Sequence, residues 1–404
     1  MTGTAPGPWL RLTALAASGA TLLAVVSGAA HLDTAHRVLA ALAGPPLVAL
    51  LAAAWIAHRR LLAPVLVAGV AFAAAALLVG RDLHIAFASL AFAAALVTTA
   101  QTFRPQVTEC CLGSRWWDYR GYRDYVTLTK PRIMSLLLLT GFCGMIVGAR
   151  GWPGTGLAAA AMGGLALACG GASALNHVLD RDIDPLMGTR TARRPVAAGR
   201  VAPSRALEFG LALSAFSFVL LASATNVLTA TLALVGNLFY VLVYTHWLKR
   251  STPQNIVIGG AAGAVPPLVG WAAATGNLAL PALFLFLIVF FWTPPHFWAL
   301  ALLIRREYAA AGVPMLPVVR GERETTRQIV LYSLVLVGIT LLPFLWHTVG
   351  LEYLVSALVL GAVFVGLALR LRRAASPRRA GVLFHYSLLY LALLFVAMAI
   401  DPIL

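Results

Sequence analysis

Asn176, Asp180 and Asp184 recur at four-residue spacing, so on a helix they share one face in a slow spiral, while Asp182 points elsewhere. Two carboxylates and an amide on one face are oxygen donors of the kind taken by a hard cation such as Mg2+, with water and a substrate phosphate completing the shell. Just beyond lie Thr189, Arg190, Thr191, Arg193, Arg194 and Arg200, whose guanidinium forks and hydroxyls match phosphate oxygens. The chemistry this describes is the binding and activation of a diphosphate. A plainer explanation is that the acids merely end a helix and the arginines merely anchor a loop. It suffices for Arg200 and Arg205, but acids are a poor choice at a helix C-terminus, where the macrodipole is already negative. Something positive must sit beside them.

Two further strings carry polar groups into apolar surroundings. Tyr244-Thr-His-Trp-Leu-Lys249-Arg250-Ser-Thr-Pro-Gln-Asn255 ends one apolar run and opens the next, and Lys249 is one of only two lysines in the chain. Beside Arg250 it is placed to clamp a diphosphate, with snorkelling anchors as the competing explanation. Trp292-Thr-Pro-Pro-His296-Phe-Trp298 lies inside an apolar run that ends at Arg305-Arg306-Glu307-Tyr308. Its double proline is expected to break helical hydrogen bonding, which is tolerated where the freed backbone lines a protein cavity. His296 and Trp298 would line it, whereas packing explains Phe291, Trp292 and Phe297 individually.

The elements that must position these residues are membrane helices. Of 404 residues 60% are hydrophobic and 11% charged, a balance that excludes a water-soluble domain. Apolar runs of bilayer length recur from Leu12 onward, predicting an all-α polytopic protein with four helices over residues 1–103 and nine over 124–404. Residues 104–123, with Arg104, Glu109, Arg115, Trp116, Trp117, Asp118, Arg120 and Arg123, read as an amphipathic linker lying on the lipid surface. The net charge of +16 is not a nucleic-acid signal, because the basic residues fall between apolar runs. With a cytoplasmic N-terminus, 27 of the 30 lysines and arginines lie inside, only Arg37, Arg81 and Arg150 outside. This predicts a multi-pass cell-membrane protein with the acidic loops at the cytoplasmic face. The first apolar run is too long and too weakly charged for a cleaved leader. Cys110, Cys111, Cys143 and Cys169 show no metal-ligand spacing.

Asn176-x3-Asp180-x3-Asp184 resembles the first aspartate-rich motif of the UbiA superfamily of intramembrane prenyltransferases. Leu128-Thr-Lys130-Pro-Arg132, the strings from Tyr244 to Gly260 and from Trp292 to Trp298, and Tyr308-Ala-Ala-Ala-Gly-Val-Pro-Met-Leu-Pro317 narrow the resemblance to the protoheme IX farnesyltransferases, or heme O synthases. The resemblance implies a nine-helix fold around a central cavity and farnesyl transfer from farnesyl diphosphate to a vinyl group of heme b, with water addition. Asn176, Asp180, Asp184 and Glu307 would hold Mg2+, and Lys249, Arg190 and Arg194 would stabilise the leaving diphosphate. Tyr244 and Trp298 would shield an allylic cation and His296 would orient heme. Lys130, Arg132, Arg250 and Asn255 would contact substrate. Where the family commonly has two aspartates before the tyrosine of its second acidic motif, this chain has Arg306 and Glu307, and the loop Met187–Arg190 is one residue longer.

The first hundred residues are foreign to that pattern. His36 and His84 open two apolar runs in equivalent positions, and their surroundings resemble one half of heme A synthase, whose enzyme would consume the product. The resemblance implies a second heme between these histidines, as axial ligands in a four-helix bundle. The alternative makes His31, His36 and His84 interfacial polar residues. Competing classes for the whole chain are a UbiA-type enzyme acting on a quinone precursor or another tetrapyrrole, a transporter using the Pro266-Pro267 break, and a non-catalytic heme-binding subunit. The Trp-Thr-Pro-Pro-His-Phe-Trp string opposes the first. The acids' position at one rim opposes the second, and the last leaves the Asp/Arg cluster without purpose.

Overall fold

The computed structural model describes residues 8–29, 33–56, 61–77, 83–102 and 119–401. Its helices in chain order are α1 Pro8–Ala29, α2 Asp33–Ile56, α3 Leu62–Leu77, α4 Leu83–Thr102, α5 Tyr119–Leu128, α6 Pro131–Ala149, α7 Thr155–Leu179, α8 Thr189–Ala192, α9 Pro203–Ala224 and α10 Val227–Leu238. A π-helical stretch, Phe239–Leu248, continues α10 into α11 Lys249–Ser251. Then come α12 Asn255–Thr275, α13 Leu280–Leu303, α14 Arg305–Ala310, α15 Leu316–Val319, α16 Gly321–Thr340, α17 Leu342–Leu345, α18 Leu351–Arg373 and α19 Pro377–Ile400. Among the described residues there is no strand, and ten helices are long and apolar enough to cross a membrane.

Local chemistry sets the ends. Proline at the first turn opens α6, α9, α13 and α19, where its missing N–H is no loss. Asn226 caps α10 by accepting from the Thr229 backbone N–H at 2.9 Å, and Gly276 closes α12 in the left-handed region at φ 70°.

Within the bundle α7 lies along α9, α6 along α12, and α13 packs on α12, α16 and α19. The α6/α12 crossing depends on glycine: a Cβ at Gly270 would come within 1.8 Å of the Gly141 carbonyl oxygen, and one at Gly144 within 2.5 Å of the Pro267 carbonyl oxygen. Removing side chains lets backbones touch where lipid supplies no hydrophobic drive for association. The largest core, around Leu285, Ile288, Tyr353, Phe364, Tyr390 and Phe395, joins α13 to α18 and α19. As expected, Pro294 and Pro295 remove helical hydrogen bonds, freeing the Phe290 and Phe291 carbonyls, while α13 itself stays continuous through them.

At the other end of the chain α1 packs on α2 and α4, and α3 on α2 and α4. This group leans on α9, where Leu22, Val25, Phe92 and Ala93 cover Ala215 and Val219. The linker expected over 104–123 falls largely on residues outside those described, apart from the start of α5. Side chains of His31, His36 and His84 are likewise outside the described residues, although the backbones of His36 and His84 sit in the first turns of α2 and α4.

Candidate functional site

The end of α7 delivers Asn176, then the chain continues in turns that keep helical spacing: Asp180 N–H donates to the Asn176 carbonyl at 2.9 Å and Asp184 N–H to the Asp180 carbonyl at 2.9 Å. Asn176, Asp180 and Asp184 therefore share a face, and all three are buried, Asp184 completely. Asp182 turns outward, 58% exposed, where Arg250 grips it through two hydrogen bonds of 2.6 and 2.7 Å. That grip holds the Asp182 carboxyl down to about 2. Arg250 also donates to the Leu179 carbonyl, so it braces the end of α7 and does not join the buried acids.

Cations converge on those acids from three elements. Lys249 Nζ donates to Asp180 Oδ2 at 2.6 Å, Arg194 donates to Asp184 Oδ1 at 2.6 Å, and Lys130 Nζ donates to Asn176 Oδ1 at 2.8 Å. The Asn176 amide passes this on, donating to Asp180 Oδ2 at 2.9 Å and to Thr245 Oγ1 at 3.1 Å. Lys130 reaches in because its backbone is left-handed, φ 49° and ψ 59°, immediately before Pro131. Such a conformation costs a non-glycine residue about 1–3 kcal/mol and persists only where surrounding structure enforces it. Burial, with Arg194 and Lys249 nearby, pulls the Lys130 amine down to about 7. Burial raises the Asp184 carboxyl against the opposing pull of Arg194.

The π-helical stretch presents the other wall. Its wider turn brings residues five apart onto one face, so Tyr244 and Lys249 align, with Thr245 beside them. Tyr240 stacks on Tyr244 at 5.5 Å, and Tyr244 fits only because residue 259 is glycine, where a Cβ would stand 2.3 Å from its ring. Tyr308 of α14 closes this side against Ile183, Ile256 and Tyr244, and burial lifts its hydroxyl to about 12.

Two carboxylate oxygens, Asp180 Oδ1 and Asp184 Oδ2, are buried with no hydrogen-bond partner among the described residues, and neither polar atom of buried Asn255 has one. Orphaned anionic oxygens cost several kcal/mol unless something positive meets them. Other expected residues stand apart. Arg190 and Arg132 are exposed, and Glu307 lies beside the Gly188 turn, its Cγ 3.4 Å from where a Gly188 Cβ would be. Among the described residues no three His, Cys, Asp or Glu side chains gather at metal-ligand spacing. Trp298 packs edge-on to Tyr332 at 5.2 Å, while His296 stacks between Trp292 and Phe384.

Residues 137–396 match the UbiA prenyltransferase family. Over 281 residues the chain is 57% identical to the protoheme IX farnesyltransferase of Symbiobacterium thermophilum, covering 69% of this chain and 94% of that protein. The chain belongs to the protoheme IX farnesyltransferases of the UbiA prenyltransferase family. Relatives of that name in Roseiflexus sp. (strain RS-1), 51% identical over 312 residues, and Thermus thermophilus, 55% identical over 281, are longer: the matches cover 77% and 69% of this chain but 58% and 46% of those proteins. The chain thus spans about half the length of these two farnesyltransferases. Among solved structures, a digeranylgeranylglyceryl phosphate synthase shares the fold with a TM-score of 0.60 at 17% identity, over 70% of this chain and 98% of that one. A UbiA homolog from Archaeoglobus fulgidus, determined with DMAPP and Mg2+ bound, shares it with a TM-score of 0.51 at 17% identity, over 69% of this chain and 99% of that one.

Residue types and spacing singled out the acids, Lys249 and Arg194, which the structure gathers into one buried cluster. They did not pair Thr245 with Asn176 or Tyr240 with Tyr244, contacts made by the π-helical stretch, and they grouped Arg250 with the diphosphate clamp, whereas its partner is the outward Asp182.

Proposed function

We propose that the chain transfers a farnesyl group from farnesyl diphosphate to a vinyl group of heme b, with addition of water, at the cytoplasmic face of the cell membrane. The observation that carries this is the buried pair of orphaned oxygens, Asp180 Oδ1 and Asp184 Oδ2, on carboxylates whose other oxygens pair with Lys249 and Arg194, in a protoheme IX farnesyltransferase.

The donor set fits a divalent cation: two buried carboxylate oxygens without partners are hard ligands, and a solved structure of this fold, the UbiA homolog from Archaeoglobus fulgidus, carries Mg2+ with DMAPP. When bound between Asp180 and Asp184, Mg2+ would neutralise the diphosphate and favour its departure. Lys249, Arg194 and Lys130 supply fixed positive charge where the leaving group gains negative charge, and preorganised charge in a dry site is worth more than in water. Asn176 holds Lys130 and Asp180 in register through its amide. Tyr244 and Tyr240 offer ring faces to the allylic cation and keep water from it until the vinyl carbon attacks. Asn255, buried with both amide atoms free, is placed to hydrogen-bond substrate.

Charge bias supports the cytoplasmic placement of the N-terminus and of this rim. We read residues 1–103 as a separate four-helix unit whose His36 and His84 hold a second heme, and a heme A synthase as the next enzyme to receive the product. His36→Ala with His84→Ala in the full chain tests the first point by loss of a bis-histidine Soret band. The reaction itself is tested by expressing the chain in membranes lacking their own heme O synthase and extracting hemes for mass spectrometry. A farnesyl-plus-water increment over heme b, absent with Asp180→Asn, is expected. Unmodified heme b with folded protein refutes the assignment and favours another prenyl acceptor.

A further inference from the structure

His296 sits on α13 seven residues before its end, so about 10 Å deeper than the rim that carries the acids. Its ring is held on every side that the chain can reach. Trp292 stacks on it at 4.3 Å and 16°, Phe384 stacks on the opposite face at 4.8 Å and 22°, and Phe297 meets it edge-on at 5.2 Å. Nδ1 lies 2.7 Å from Oγ of Ser387 on α19, a residue with no exposed surface.

The direction of that hydrogen bond follows from counting protons. Ser387 Oγ also lies 2.6 Å from the Phe384 carbonyl oxygen, which can only accept. The single hydroxyl proton is therefore committed to Phe384, and the proton between Ser387 and His296 must come from the imidazole. Trp292 Nε1 donates to the Ser387 carbonyl at 2.7 Å, which fixes the backbone that aims the hydroxyl. His296 is thus the Nδ1–H tautomer, and its lone pair is on Nε2. No group of the chain donates to Nε2 among the described residues, and it is not sealed away, since His296 keeps 6% of its surface accessible.

We propose that Ser387 is a positioning residue that locks His296 in the Nδ1–H tautomer, so that Nε2 coordinates the iron of the heme b acceptor. An imidazole whose other nitrogen donates to a fixed acceptor has the arrangement typical of metal-ligating histidines, where the second hydrogen bond sets the tautomer and raises ligand basicity. The apolar, aromatic surroundings offer a neutral lone pair to iron and no competing proton donor. Ligation at this depth would hold the porphyrin inside the bundle, below the diphosphate site. The inference rests on heme b being the acceptor.

The test compares binding of heme b and of iron-free protoporphyrin IX to the full chain in nanodiscs, with farnesyl diphosphate turnover measured alongside. Heme held elsewhere in the chain adds a contribution common to all variants. Ser387→Ala should weaken heme b binding tenfold or more and shift the ferrous iron–histidine stretching band, with protoporphyrin IX binding and the KM for farnesyl diphosphate unchanged. Ser387→Thr, which keeps a hydroxyl able to bond the same carbonyl, should behave as wild type. His296→Ala should lose the iron–histidine band. Equal weakening of both porphyrins, or an unchanged band in Ser387→Ala, would overturn the inference and make the pair a packing contact. If wild type forms farnesylated heme while Ser387→Ala keeps the band, only this inference fails. If wild type binds neither porphyrin, the heme reading fails with it.

Discussion

Asp180 answers to two masters, and the two can be separated. One of its oxygens accepts from Lys249 and Asn176; the other faces no partner on the chain. Asp180→Asn keeps an acceptor for one contact but leaves Lys249 buried and unpaired, and removing one partner of a buried pair costs about 3–5 kcal/mol. Lys249→Met leaves the Asp180 charge buried in the same way. The double variant removes both charges with little change in volume, so most of the loss should return. Stability should therefore fall in each single variant and recover in the double, a coupling at least as large as either single loss, about 3–5 kcal/mol or more. Activity should follow another pattern. Removing about 4 kcal/mol of transition-state stabilisation lowers turnover about a thousandfold, and the double variant restores none of it. Thermal unfolding can be followed by thiol labelling, since Cys143 is buried in α6, and turnover by heme extraction. Recovery of turnover in the double variant, or additive losses of stability, would refute the reasoning that Asp180 joins a structural ion pair to a ligand position.

Lys130 predicts a pH effect. With its amine near 7 in the empty site, about nine-tenths of the chains carry it neutral at pH 8, and an arriving diphosphate restores the charge. Binding at pH 8 should take up about one proton, measured by calorimetry in buffers of different ionisation enthalpy, and Lys130→Gln should abolish the uptake. Because the folded value lies below that of the unfolded chain, the empty protein should also gain stability as pH rises from about 7 towards 10. Gly259→Ala should push Tyr244 out of place, costing about 1–3 kcal/mol in unfolding and lowering turnover; unchanged activity would show that the tyrosine wall is not needed. Asp182→Asn, at an exposed pair, should change stability by no more than about 1 kcal/mol and turnover by less than twofold, and a loss like that of Asp180 would contradict its outward placement.

What could be read from sequence was whatever depends on type and spacing along one helix. Asn176, Asp180 and Asp184 declared themselves because four-residue steps keep a face and because buried charge at a helix end demands a partner. Lys249 stood out by rarity. Contacts between elements were not readable: Arg250 precedes Asn255 in the same string, yet it reaches back to Asp182. The π-helical turn has no signature in Phe-Tyr-Val-Leu-Val-Tyr-Thr-His-Trp-Leu, an ordinary apolar run, so the partnership of Thr245 with Asn176 was hidden. The double proline announced the lost hydrogen bonds but not that α13 would stay continuous through them. Ser387, ninety-one residues from His296, could not be paired with it by spacing at all.

The contact between the first helices and α9 bears on traffic within the lipid plane. Leu22, Val25 and Phe92 occupy the outer face of α9, against Ala215 and Val219. Lipid-borne molecules diffusing sideways cannot approach the acid-bearing α7 across that flank, because α9 lies between and is itself covered. An amphiphile arriving from the membrane, or a product leaving into it, must use another side of the bundle. The appended helices therefore cover one flank of the prenyltransferase bundle, and that flank of α9 is closed to lipid.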